Sequence, residues 1–159
     1  MDSQSKEDFT PLEIEAIFNI YLESDMYQEA LTLYPEGSEQ LISKLRSEDN
    51  MAALLEIEQA PTKAILFEQA ILEGDYATAG SIANEVSFVP ERYDAVLKSL
   101  VYVEDVASAI ELVKMNELTD KKESLNTWNK EFVNGSELAD EEKAAKIKEV
   151  EELLNKELG

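Results

Sequence analysis

The clearest hydrophobic pattern in the chain lies between Ala64 and Pro90, where apolar positions recur in steps of three and four. This spacing places them on one face of a helix, first before and then after the pair Gly74-Asp75. Gly74 can adopt the left-handed conformation that ends one helix, and Asp75 can accept from the free amides that begin the next. Pro90 ends the second helix, because its ring prevents continuation. The segment therefore predicts two short helices joined by a tight turn.

Similar pairs of apolar segments lie on both sides of this one. Turns are predicted at Ser24-Asp25, at 47–50 and at Glu104-Asp105, each between two segments with helical spacing. The comparable positions just after the four turns are Ala30, Leu54, Ala79 and Ala109, separated by 24, 25 and 30 residues. Four irregular helical hairpins are therefore predicted, with a helical bundle without repeats as the alternative.

Helix starts can be predicted at several residues. Thr10, Pro11 and Glu13 have the pattern of a capping box that opens the first helix. Ser38 is expected to cap a short third helix, and residues 51–57 are expected to form the helix that pairs with it. Thr119 is expected to cap a helix that carries Trp128 and Phe132. The last predicted helix runs from about 137 to 158, with one stripe that contains Ile147, Val150 and Leu154.

The composition favours helix throughout. There are only five Gly and four Pro, while Ala, Leu and Glu are abundant, and no alternating β-branched run competes. The predicted fold is all-α: an irregular stack of short antiparallel helical hairpins with a charged C-terminal helix. The predicted organisation is a flexible acidic tail over 1–9, a hairpin-repeat domain over 10–117 and capping helices over 118–159.

The run GDYATA, from Gly74 to Ala79, resembles the turn of a tetratricopeptide-type repeat, with Leu66 upstream and Pro90 downstream. The resemblance is best over residues 61–90. It implies a solenoid whose inner groove is lined by the first helix of each hairpin. The positions that would line this groove and bind a partner are Glu15, Asn19, Ala64, Glu68, Asp94 and Lys98.

The formal net charge of −21 is the strongest anomaly in the composition. Residues 1–60 carry 14 acidic against 3 basic side chains, 61–120 carry 11 against 4, and 121–159 carry 10 against 7. Such a field repels nucleic acid and anionic membranes and attracts basic partners. Glu is also a good helix former on solvated faces, so the charge by itself does not distinguish function from solubility.

The chain offers little for catalysis. It has no His and no Cys, which removes the commonest general base, thiolate ligands and disulfides. Neither a Gly-rich phosphate loop nor an EF-hand loop is found. We therefore expect a protein that is not an enzyme and needs no metal or cofactor. With neither an apolar run of membrane length nor a signal-like N-terminus, a cytoplasmic location is expected.

Three functions fit the sequence. The favoured hypothesis is a non-catalytic protein-binding module, an adaptor or assembly chaperone, that binds a basic or amphipathic segment of a partner protein. The second is an acidic mimic of nucleic acid that occupies a DNA-binding protein. The third is a structural subunit that forms a homodimer or larger oligomer through the C-terminal helix. The residues expected at that interface are Trp128, Phe132, Ile147, Val150 and Leu154.

Overall fold

A computed structural model of the chain describes residues 9–159, which form helices and turns without any β-strand. The prediction of an all-α protein is confirmed. The tail predicted over 1–9 lies outside the described residues except for Phe9. In the described part of the chain, the helices are α1 (Pro11–Glu23), α2 (Tyr27–Leu33), α3 (Ser38–Ser47), α4 (Lys63–Leu72), α5 (Tyr76–Ile82), α6 (Tyr93–Tyr102), α7 (Val106–Met115), α8 (Lys121–Asn134) and α9 (Asp140–Leu158). Short 3-10 segments occupy Pro35–Gly37, Met51–Glu56, Ala83–Glu85 and Pro90–Arg92.

The described residues divide into two compact units, 9–74 and 75–159. The first contains α1 to α4, and the second contains α5 to α9. The boundary falls at the turn that the sequence places at the centre of one hairpin. The domain limit predicted after residue 117 falls inside the second unit, between α7 and α8. No helix among residues 9–159 is both long and apolar enough to cross a membrane.

Two of the predicted helix starts are confirmed. Thr10 Oγ1 accepts from the backbone N–H of Glu13 at 3.2 Å, and Glu13 Oε1 accepts from that of Thr10 at 3.3 Å, which completes the capping box. Asp75 Oδ1 accepts from the backbone N–H of Thr78 at 3.1 Å. Each bond satisfies an amide that has no partner inside the helix.

Three other predicted helix starts are wrong. Ser38 does not cap α3: it lies in its first turn and donates to the carbonyl of Pro35 at 2.7 Å. Thr119 does not cap α8, which begins at Lys121, because 118–121 is a turn in which the N–H of Lys121 donates to the carbonyl of Leu118. The last helix begins at Asp140 rather than near 137, because Ala139 is extended.

Residues 51–57 also depart from the prediction, since Met51–Glu56 forms a 3-10 segment instead of an α-helix. The side-chain amide of Gln69 donates to the carbonyls of Leu54 and Ile57, at 2.8 and 2.9 Å. These carbonyls at the end of the segment therefore have partners outside it.

The four predicted turns share one backbone conformation. Asp25, Asp49, Gly74 and Glu104 have φ values of 59°, 53°, 72° and 63°. Each donates its N–H to the carbonyl three residues earlier, as in the Schellman ending of a helix. The left-handed conformation expected at Gly74 is confirmed. The other three turns adopt it without glycine, at two Asp residues and one Glu.

The same pattern of buried side chains recurs at fixed distances from each of these four turns. The residues five positions after the left-handed residue are fully buried in all four segments: Ala30, Leu54, Ala79 and Ala109. The residues seven positions before it are at most 2% exposed: Phe18, Ile42, Phe67 and Leu97. The four segments thus place a large side chain and a second apolar side chain at the same two local positions.

In the first unit, α1 packs on α2, α3 packs on α4, and Met51–Glu56 packs on both α3 and α4. Their buried side chains form one cluster that runs from Phe18 to Ile65. The hydroxyl of Thr62 donates to Ser38 Oγ at 2.8 Å and ties the start of α4 to the start of α3.

In the second unit, α6 is central and packs on α5, α7 and α8, while α9 packs on α7 and α8. Gly80 on α5 marks a close approach to α6. A Cβ at this position would lie 2.6 Å from the carbonyl oxygen of Ser99 and would also collide with Val103. The unit therefore depends on the absence of a side chain at Gly80.

Candidate partner-binding groove

The second unit contains a groove with a volume of about 700 Å³, where the end of α6 and the start of α7 face α8 and α9. The turn between α6 and α7 fixes one wall. Glu104 is left-handed there, and Asp105 accepts from the N–H and the hydroxyl of Ser108, at 3.3 and 2.7 Å. The other walls come from α8, the 135–139 connection and α9. A concavity of this size is in the range of ligand and side-chain pockets.

Apolar side chains form the inner surface of the groove. Val101, Val106 and Val133 are at most 9% exposed and form its floor. The more accessible large apolar side chains of the lining are Tyr102, Phe132, Leu138, Val150 and Leu153. Burying such side chains under a second apolar surface is favourable, at roughly 25 cal/mol per Å² removed from water.

An aromatic cluster continues from this surface. Phe132 lies 4.9 Å from Tyr102 and 5.6 Å from Tyr76, measured between ring centroids, and the pair with Tyr102 is edge-to-face. The ammonium of Lys98 lies 5.2 Å from the centroid of Tyr76 and 6.0 Å from that of Phe132. Tyr102 remains 44% exposed, so this cluster presents an aromatic face at the surface.

The charged side chains of the lining are mostly acidic. Glu104, Glu131 and Glu149 carry carboxylates, and Lys146 is the single cation among the described lining residues. Lys146 is bonded to Glu104, and this hydrogen bond raises the pKa of the lysine above its ordinary value. Glu131 and Glu149 form no ion pair with a described residue. These four charged side chains form the rim of the groove, and the net charge of the rim is negative even when Lys146 is counted.

One buried polar group belongs to the lining. The side chain of Asn129 is 6% exposed, and its Nδ2 atom has no hydrogen-bond partner among residues 9–159. A buried donor without a partner costs on the order of 1–3 kcal/mol. A carbonyl group reaching this donor would remove that cost.

The structure brings together three of the residues that the sequence assigns to binding or assembly. Lys98 lies over the ring of Phe132, and Val150 shares the groove with Phe132.

Trp128 and Ile147 are half-buried and lie outside the groove lining. Leu154 is 1% exposed, so it is not available to a second chain in this conformation. Asp94 is exposed and pairs with Lys121 at 2.8 Å.

The remaining predicted groove residues belong to the first unit. Glu15 is exposed, and Asn19 accepts from the side-chain amide of Gln40 at 2.9 Å. Ala64 is half-buried. Glu68 is only 4% exposed and accepts from Arg46 at 3.0 Å. Glu68 therefore belongs to a structural ion pair, not to an open binding face.

Sequence reasoning missed Tyr102, Asn129 and Glu104 as groove residues. Their positions in the sequence carry no signal of a site, because they come from two separate segments, the end of α6 with its turn and α8. The exposed aromatic side chain of Tyr102 at the end of α6 is the one feature that a search for surface aromatics would find. Among residues 9–159 there is no cluster of three acidic side chains that could hold a metal ion.

Comparison with known proteins adds no assignment. No family model matches the chain, and no curated protein and no solved structure matches it either.

Proposed function

We propose that this chain is a non-catalytic protein-binding module, of the adaptor or assembly-chaperone kind. It binds a basic, amphipathic segment of a partner protein in the groove of its second unit. The observation that carries the proposal is the pairing of an apolar, aromatic lining with a rim of three carboxylates and one lysine. An amphipathic helix with basic residues beside its apolar stripe is complementary to both parts.

The proposal includes a repeat architecture related to tetratricopeptide hairpins. Support comes from the shared left-handed residue of the four turns and from the buried positions at fixed distances from it. Repeats of this kind present extended surfaces that bind segments of other proteins. The net charge of −21 adds long-range attraction for a basic segment.

The test uses a designed peptide with leucines on one helical face and lysines on the other. A second peptide of equal charge has serines in place of the leucines. Binding to the full chain is measured by fluorescence anisotropy at low and at physiological salt. The Leu/Lys peptide is expected to bind at both salt concentrations, whereas the Ser/Lys peptide is expected to lose binding at the higher one.

The groove is then tested by substitution. Tyr102→Ala removes a half-exposed ring from the lining and is expected to weaken the Leu/Lys peptide about tenfold, or ~1.4 kcal/mol. Met115→Ala removes another exposed apolar side chain from the same unit, outside the groove, and is expected to leave the affinity unchanged. Equal binding of both peptides, or equal effects of both substitutions, would contradict the proposal. Equal binding of the two peptides would instead favour the acidic mimic of nucleic acid, because charge alone would then account for binding.

A further inference from the structure

Helix α9 supplies the groove with its own basic residue. Lys146 extends from α9 to Glu104, which is the left-handed residue of the turn between α6 and α7. Both side chains are well exposed, at 42% for Lys146 and 72% for Glu104. An ion pair this exposed contributes little to stability, so its replacement by an ion pair with a ligand would cost the fold little.

The neighbouring charges make Glu104 a place where a cation is favoured. Glu149 and Glu142 also act on Lys146, although more weakly than Glu104 does. Glu149 and Glu131 lie in the same groove without a basic partner of their own. A basic side chain brought in by a ligand would therefore encounter three carboxylates, one of which Lys146 already occupies.

Helix α9 remains attached to its unit without this pair. It packs on α7 and α8, Leu154 is buried, and two further ion pairs join Lys114 to Glu157 and Lys130 to Glu151. Lys146 can consequently leave Glu104 by a change of side-chain rotamer, without separation of the helix.

We propose that Glu104 is the subsite for a basic side chain of the bound segment and that Lys146 is an internal competitor for it. The ligand class is a basic amphipathic segment of a partner protein, as in the proposed function on which this inference rests. When the segment binds, its Lys or Arg replaces Lys146 at Glu104 while its apolar side chains enter the groove. Asn129, whose buried Nδ2 atom has no hydrogen-bond partner among the described residues, belongs to the same lining.

The competition predicts an increase in affinity when the lysine is removed. Lys146→Gln leaves Glu104 without a cation, and Lys148→Gln makes the same change in net charge two residues along the same helix. Lys148 is 76% exposed, lies outside the groove lining, and has only a 4.0 Å contact with Glu152. The Leu/Lys peptide is expected to bind Lys146→Gln about two- to fivefold more tightly than Lys148→Gln, as for one exposed ion pair.

The role of Glu104 as the subsite has its own matched control. Glu104→Gln is expected to weaken the peptide about two- to fivefold. Glu117→Gln changes a carboxylate in the same left-handed conformation, φ 54°, outside the groove, and is expected to have a much smaller effect. In the Glu104→Gln background, Lys146→Gln should bring no further gain over Lys148→Gln, because the carboxylate that Lys146 occupies has been removed.

Two outcomes separate the inference from the function on which it rests. If the Leu/Lys peptide does not bind, or if its binding shifts no amide resonance of the groove in 15N-labelled protein, the proposed function fails. If it binds in the groove but Lys146→Gln and Lys148→Gln are equal, the competition is overturned and the binding function stands. Amide hydrogen exchange of α9 in both variants checks that the helix stays packed. If exchange is faster in Lys146→Gln alone, an increase in peptide affinity would be due to release of the helix, and the competition would be overturned.

Discussion

Gly80 provides the sharpest test of the packing that supports the groove, because two opposing effects act on its substitution by alanine. In a helix interior, alanine is more favourable than glycine by about 0.8–1.0 kcal/mol. Against this, the new Cβ would lie 2.6 Å from the carbonyl oxygen of Ser99 and 2.9 Å from Val103 Cγ2, with a still closer approach to Cγ1. Overpacking of this kind costs about 1–3 kcal/mol, and a backbone carbonyl cannot rotate away.

We expect Gly80→Ala to lower the free energy of unfolding of the second unit by up to about 2 kcal/mol, since a steric cost of about 1–3 kcal/mol is offset by a gain of about 1 kcal/mol in helix propensity. Urea unfolding followed by the fluorescence of the single tryptophan, Trp128, reports on this unit. The matched control is Ala77→Gly, at an exposed position of α5, which measures the propensity difference without a steric contribution and is expected to cost up to about 1 kcal/mol.

The substitution Val103→Ala, made as a second background, separates the contributions of the Val103 side chain and of the Ser99 carbonyl to the steric cost. Val103 is 37% exposed, so Val103→Ala has a small cost of its own and removes both γ carbons from the collision. In that background Gly80→Ala should cost less but should still destabilise, because the Ser99 carbonyl remains. If Gly80→Ala stabilises the protein by about 1 kcal/mol in either background, the close approach of α5 to α6 is refuted.

Two further predictions concern the first unit. Burial and the hydrogen bond to Asp25 at 2.9 Å raise the pKa of Tyr27 to about 12, so stability linked to its protonated form is present below pH 10 and lost as the pH rises towards 12. Absorbance titration should show one late tyrosine that is absent in Tyr27→Phe, and its presence in that variant would reject the assignment. Glu68→Ala should lower the free energy of unfolding by about 2 kcal/mol because Arg46 loses its buried partner, whereas Glu15→Ala should change it by less than about 0.5 kcal/mol. Equal effects in urea unfolding would contradict the burial of Glu68.

Local features of the fold could be predicted from the sequence because their causes are local. The capping box at Thr10, the left-handed Gly74 and the cap at Asp75 each depend on residues within one turn. The all-α class follows in the same way from helical spacing and composition. The left-handed conformation of Asp25, Asp49 and Glu104 has a weaker signal than that of Gly74, since non-glycine residues adopt it uncommonly, although Asp does so more often than most.

The groove could not be predicted, because helical periodicity identifies a buried face but not the helix that covers it. The positions taken from the resemblance assume that the first helix of every hairpin lines one groove. Glu68 is instead buried beside Arg46, and Lys98 lies over aromatic rings that come from α5 and α8. Phe132 and Val150 were predicted to join two copies of the chain, and they lie together in the groove of a single unit.

Binding of a basic amphipathic segment in the groove can be tested directly by NMR with the Leu/Lys peptide and the full chain labelled with 15N and 13C. We expect intermolecular nuclear Overhauser effects from the leucine methyl groups to Tyr102, Phe132 and Val150, together with shifts of the amides of 101–107 and 129–136. Contacts confined to other surfaces, or binding that produces shifts spread over all acidic residues without leucine contacts, would contradict it.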